Sequence, residues 1–184
     1  MSVGATGNLS LIAPQRRFER SYRNLIEEIT TLGERFVPFT LSFEYENFDE
    51  LIDRLSANSK GLGIPDGFVA NSSFWLVRDD SEIVGVSNVR HDLTPALRLE
   101  GGHIGYGIRP SLRRKGFGVQ ILRHTLTRAR SLGLTRVLLT CGKSNLASAK
   151  AIIANGGVLE SEAYYPPRSE VLQRYWIELD ATAT

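Results

Sequence analysis

Cysteine is nearly absent: Cys141 is the only one in 184 residues, so no disulfide within the chain and no Cys-paired zinc site is available. That scarcity suits a reducing compartment. Long apolar runs are missing too. Phe74 to Val77 is among the longest, too short for a membrane span or a signal-peptide core, and the chain is expected to be cytoplasmic. A surplus of one charge is also lacking. At +2 the net charge implies neither a nucleic-acid nor a membrane partner, although arginine outnumbers lysine eighteen to four. There is no internal repeat, no low-complexity tract and no linker rich enough to separate a second domain.

What is there suffices for one core: 42% of the residues are hydrophobic, and a chain of this length buries about 70% of its unfolded surface. Residues 1–8, small and polar, read as a flexible N-terminus, and residues 9–180 as a single domain. Leu9 to Ile12 reads as a first strand. Tyr22, Leu25, Ile26, Ile29 and Leu32 recur at helical spacing up to Gly33, and Phe48, Leu51, Ile52 and Leu55 repeat the pattern. Asn47 and Glu50 form a capping box at the start of that second helix. Gly61 to Gly67 is loop. From residue 72 the period shortens, with strands expected at 73–78, 83–89 and 103–109. A helix over 115–131, a strand over 136–140, a helix over 145–155 and strands over 158–164 and 171–179 complete the order.

The informative segment runs from Gly102 to Val119, a strand leading through a glycine loop into a helix. The first amides of a helix have no intrahelical partner and sit at the positive end of its dipole, which suits a pyrophosphate. Gly116 and Gly118 leave room, and Arg113, Arg114 and Lys115 add charge. The same features also describe a glycine-tolerant helix start with a solvated basic face. Neither the Walker loop nor the dinucleotide G-x-G-x-x-G occurs.

Arg113-Arg114-Lys115-Gly116-Phe117-Gly118 resembles the (Q/R)-x-x-G-x-(G/A) loop of the GNAT superfamily of acetyl-CoA-dependent N-acetyltransferases. Asn145-Leu-Ala-Ser148 and the closing Gly156-Gly157 are similar to the family's second segment. The resemblance implies an α/β fold of α+β type, with a mixed, mostly antiparallel twisted sheet of about six or seven strands and about four flanking helices. It implies an acyltransferase moving acetyl from acetyl-CoA, as cosubstrate, to a primary amine by direct transfer in a ternary complex. No metal is implied. The pantetheine arm would lie along Tyr106, Gly107 and Ile108, the pyrophosphate on the amides of Arg114, Lys115, Gly116, Phe117, Gly118 and Val119, with Arg113 beside it. Asn145 and Ser148 would touch the cofactor from the next helix. The partner implied is a small amine, and a homodimer is admitted. Gly105 and Gly107, as strand glycines, mark either a bulge or the close approach of another chain.

Direct transfer needs the amine as free base, which for an alkyl amine of pKa near 10.4 costs about 4.6 kcal/mol at pH 7. His103 is the first choice of base and Glu100 the second, by their place at the start of the cofactor strand. The family's usual proton donor, a tyrosine four residues before the closing glycine, is replaced here by Ile152. Tyr106, Tyr164, Tyr165 and Tyr175 are substitutes by proximity, and unassisted departure of the thiolate is a further route. That gap motivates a second reading, an acyl-CoA-binding or sensing module with weak turnover. Cys141 reads as a packed thiol, and Glu44, Glu46, Asp49, Glu50 and Asp53 as acids near a helix start. The acceptor side is expected between the first two helices, the 61–67 loop and the Pro166-Pro167 hairpin, with Phe36, Phe39, Phe43, Trp75 and Tyr165 lining it.

Overall fold

The computed structural model describes residues 7–179, so residues 1–6 of the expected flexible tail and residue 180 of the expected domain lie outside it. Seven strands are present: β1 (Leu9–Ile12), β2 (Asn71–Arg78), β3 (Glu82–Arg90), β4 (Ile104–Ile108), β5 (Arg136–Gly142), β6 (Val158–Tyr165) and β7 (Glu170–Glu178). They form two antiparallel sheets, one ordered β1-β2-β3-β4 and the other β5-β7-β6. The helices are α1 (Glu19–Thr31), α2 (Phe48–Ser59), α3 (Pro95–Leu99), α4 (Phe117–Ser131) and α5 (Leu146–Ala154). The α/β fold and the seven strands expected from the sequence are present.

The helix α3 is one more than expected. It is held by ends rather than by a stripe: Thr94 Oγ1 accepts from the Leu97 amide at 3.2 Å, and Pro95 presets the first turn. Five residues are too few to show a period. The capping box at α2 is formed as expected, with Asn47 Oδ1 accepting from the Glu50 amide and Asn47 Nδ2 donating to Glu50 Oε1 at 2.7 Å.

The first sheet is covered on both faces, which is why β2 and β3 read as apolar segments rather than clean alternations. On one face Tyr22, Leu25 and Ile26 of α1 and Leu51 and Leu55 of α2 pack on Trp75, Val77, Ile83 and Val86. On the other, Phe117 and Ile121 of α4 pack on Leu76, Val84 and Leu112. Each such fully buried side chain contributes about 1.5–3 kcal/mol over its exposed state. Trp75 is 1% exposed and packs on Tyr22, Phe18 and Phe48, so it belongs to this core and does not line an acceptor pocket.

Between the two sheets the backbone is joined at His103 and Leu138, beside a bond from the Gly101 amide to Thr140 Oγ1 at 2.9 Å. The His103 amide donates to Leu138 O at 2.7 Å, and the Leu138 amide donates back to His103 Nδ1 at 2.9 Å. No ladder joins β4 to β5 among the described residues, because β4 pairs only with β3 and β5 only with β7. A gap therefore opens between these two strands, with α4 and α5 beside it.

Candidate active site

The loop after β4 is shaped by its backbone. Arg114 (φ 64°) and Gly116 (φ 82°) both adopt left-handed conformations, so the chain turns sharply and α4 begins at Phe117, two residues later than the sequence suggests. Among the described residues, the amides of Arg114 to Gly118 donate to no backbone carbonyl. They converge at the positive end of a fifteen-residue helix. Nothing lies within 4 Å of a Cβ built at Gly116, so that glycine is required by φ rather than by space. A Cβ at Gly118 would meet Ala151 of α5 at 4.0 Å, an ordinary contact that leaves little room for further methyl groups.

Only some of the predicted cations face this cradle freely. Arg113 is turned away: its guanidinium grips the Glu34 carboxylate, with Nη1 to Oε1 at 2.7 Å, and its Nε donates to Ile108 O at 3.1 Å. Glu34 is held below its ordinary pKa by that guanidinium. Lys115 Nζ rests near Ser111 O at 3.4 Å, and Arg114 is exposed. The far end of α1 holds the loop from a second side, Glu28 Oε2 accepting from the Ser111 amide at 3.0 Å. Arg109, 5% exposed, sits between Glu28 and Glu82 and donates to Ser21 O at 2.7 Å. Glu28, Glu34 and Glu82 lie outside anything the sequence motif suggested.

Across the gap, the Asn145 side chain caps α5 by accepting from the Ser148 amide at 3.1 Å. Tyr106 reaches over from β4, its hydroxyl 3.2 Å from Ser148 Oγ. Burial raises the pKa of Tyr106, and likewise that of Cys141, which is 6% exposed and stays a neutral thiol. The structure thus brings Tyr106, Gly107, Ile108, Asn145 and Ser148 to the two sides of one gap, with residues 114–119 at its mouth.

The opposite face of β4 explains its glycines. The β3–β4 register runs unbroken from Gly85↔Ile108 to Val89↔Ile104, so there is no bulge at Gly105 or Gly107. The close approach comes from the chain itself: a Cβ at Gly107 would lie 2.2 Å from Val37 O, and one at Gly105 3.3 Å from Pro38 Cβ. Gly107→Ala is expected to cost about 1–3 kcal/mol as the 37–38 segment lifts, lowering the melting temperature by about 5 °C. An unchanged transition would contradict this tight crossing. Beneath the same segment, Asn88 Nδ2 donates to Asn71 Oδ1 at 2.8 Å, while Asn88 Oδ1 is buried with no donor among the described residues.

Both predicted bases are engaged. His103 is 8% exposed, and Nδ1 already accepts the Leu138 amide, leaving no lone pair while the proton sits on Nε2. Burial first and the charge of Arg98 second push its pKa down to about 4, Asp92 pulling the other way and Arg90 and Arg136 adding to the fall. Glu100 is clasped by Arg168 at 2.6 Å, Arg35 lies 3.8 Å away, and the carboxylate raises the pKa of the nearby Tyr165. That cluster ties the loop after α1 to the hairpin between β6 and β7. Of the predicted aromatic lining, Phe39 stands against Phe43 and Phe68 with Arg90 over its ring, whereas Phe36 and Phe43 pack on the core.

Among the described residues no helix is long and apolar enough to cross a membrane, and no three His, Cys, Asp or Glu side chains are grouped to hold a metal. No curated protein sequence matches the chain. Solved structures do. A spermidine N-acetyltransferase from Vibrio cholerae in complex with CoA and spermine is 16% identical, TM-score 0.62, over 93% of this chain and 95% of that one. An acetyltransferase from Salmonella typhimurium that modifies the N-terminal serine of a ribosomal protein is 17% identical, TM-score 0.66, over 94% and 95%. A putative acetyltransferase from the same organism, with acetyl-CoA, is 12% identical, TM-score 0.63, over 96% of both chains. At such identities the likeness is one of fold. The family model described as Acetyltransferase (GNAT) family matches residues 34–152, spanning the loop, the gap and the first turns of α5, and the chain belongs to that family of acetyltransferases.

Proposed function

We propose that this acetyltransferase binds acetyl-CoA along the gap between β4 and β5 and passes the acetyl group directly to a primary amine held on the opposite face of β4. One observation carries the reading: the unpartnered amides of Arg114 to Gly118 at the start of α4 stand at the mouth of that gap. The coenzyme supplies an activated thioester carbonyl; the protein supplies the rest. The residues present fit it, since Arg114 and Lys115 are exposed beside the amides, and the backbone of Tyr106 to Ile108 and the Asn145–Ser148 turn flank the arm's path. Backbone donors of β4 would polarise the carbonyl oxygen.

Engagement of His103 and Glu100 bears on the acceptor. With neither free to take a proton, deprotonation falls to water, and the amine's own pKa decides the cost. An alkyl amine pays about 4.6 kcal/mol at pH 7, an α-amino group near pKa 7.8 only about 1 kcal/mol. The favoured class is therefore a weakly basic primary amine such as a peptide N-terminus, met in the cytoplasm by a monomer or a homodimer. The sensing alternative rests on the hydrophobic Ile152 where the family's tyrosine stands.

Calorimetry with acetyl-CoA, followed by thiol release over a panel holding a serine-initiated peptide and spermidine, tests both. Binding is expected, with faster turnover of the peptide. Gly116→Val should cut acetyl-CoA affinity at least about tenfold, because a β-branched residue resists φ near 82° and the amides must move. No binding by the wild-type protein overturns the reading, and binding without turnover of any amine favours the sensor.

A further inference from the structure

Resting on the acetyl-CoA reading above, we propose that Tyr106 delivers the proton that the coenzyme sulfur takes up as the acetyl group leaves it. Ile152, at the position where a helix hydroxyl is usual in this family, is fully buried at 0% exposure. Of the four tyrosines left open by the sequence, three are placed elsewhere. Tyr164 is 63% exposed on the outer strand β6, Tyr165 stands at the far end of β6 under the influence of Glu100, and Tyr175 donates its hydroxyl to Gln173 Oε1 at 2.9 Å. Tyr106 alone crosses the gap, from β4 to Ser148 Oγ at 3.2 Å in the first turn of α5. Ser148 and Ile152 are four residues apart and share one face of α5, so the hydroxyl pair stands one helical turn from the vacated position, on the side facing the gap.

The chemistry of the pair fits a donor. Burial favours the neutral phenol, so the proton is present at neutral pH. The neighbouring Cys141 is likewise kept neutral and places no anion there to compete for it. As the carbon–sulfur bond breaks, its electron pair stays on sulfur, and the Tyr106 Oη–H proton moves to sulfur to form the thiol. The phenolate is reprotonated through the half-buried Ser148 hydroxyl, which takes its own proton from water. The acceptor nitrogen has meanwhile given one proton to water, so the sum is amine plus thioester going to amide plus thiol.

The test is Tyr106→Phe, which removes one oxygen from a ring that otherwise keeps its packing. Affinity for CoA by calorimetry is expected to stay within about threefold of wild type, while kcat for the best amine of the panel falls about 100-fold. The alkaline fall of kcat, set by ionisation of the phenol in the wild type, should disappear. A readout needing no acceptor is the thiol of bound CoA, titrated by thiolate absorbance: it should ionise about one pKa unit higher in Tyr106→Phe, having lost a charge-assisted hydrogen bond. Unchanged kcat and thiol titration would overturn the proposal, and so would CoA affinity lost in step with kcat, which would make Tyr106 a binding residue. If no amine is turned over, the thiol titration decides alone. Wild-type protein that binds neither CoA nor acetyl-CoA fails the proposed function itself, a result distinct from these.

Discussion

Arg109→Met should lower the melting temperature by about 10 °C, the equivalent of about 3 kcal/mol for a domain of this size. The Arg109 side chain is 5% exposed and holds two elements through three partners: Glu82 of β3 at 3.0 Å, Glu28 of α1 at 3.3 Å, and Ser21 O of α1 at 2.7 Å. Methionine fills much of the stem's volume, so the cost is electrostatic. Glu82 keeps Arg78 as a partner, but Glu28 would lose its only ion-pair partner among the described residues, in a half-buried site. A buried pair broken from one side costs more than the pair contributes when intact. The effect should reach the cradle, because Glu28 also accepts from the Ser111 amide and Arg109 is the last residue before the loop. Acetyl-CoA affinity should therefore fall with stability. Arg109→Lys keeps the charge but cannot address three partners with one ammonium, and should lie between the two. A Met variant melting with the wild type would show that the two glutamates are solvated well enough to stand alone.

That arrangement marks how far the sequence could be read. The stripes of α1 and α2, the Asn47–Glu50 capping box, the strands from residue 71 onward and the glycine loop are local signals, each contained in a few turns or alternations, and each stands where the pattern placed it. What failed to show in the sequence is non-local. Arg113 looked like a phosphate ligand because its neighbours are Arg114, Lys115 and Gly116; its partner Glu34 lies 79 residues earlier and carries no periodic mark. Gly107 looked like room for a cofactor, whereas a Cβ there would strike Val37 O, on a segment whose course over β4 no propensity encodes. Trp75 shared its aromatic character with Phe39, yet strand parity sends it into the core between α1 and α2. The reach of Tyr106 to Ser148 depends on β4 and β5 lying in separate sheets with no ladder between them, which only the folded chain displays.

Where the backbones of the two sheets are joined, His103→Ala should cost about 3 kcal/mol at neutral pH, since it leaves the buried Leu138 amide without an acceptor and opens a cavity beside Trp176, whose ring lies 6.2 Å from the imidazole. Nearby geometry cannot compensate: Gly102, at φ 59°, already presses so close that a Cβ would sit 2.3 Å from Leu138 O. The pH dependence separates this structural role from that of a base. With the folded pKa lowered to about 4 from 6.5, the neutral ring is the native form, so its stabilisation is full above pH 6.5 and is lost as pH falls toward 4. By pH 5 the wild type should have lost about 2 kcal/mol through this group. His103→Asn offers Leu138 an oxygen near the place of Nδ1 that does not titrate, so its unfolding free energy, measured by denaturant at pH 7.5 and pH 5, should fall less than the wild type's by that amount. Turnover gives the second arm: Asn at 103 should keep the neutral-pH shape of the kcat profile if the ring only joins the sheets. A profile that loses a limb near pH 6.5 in the Asn variant, with stability tracking the wild type, would return His103 to the chemistry.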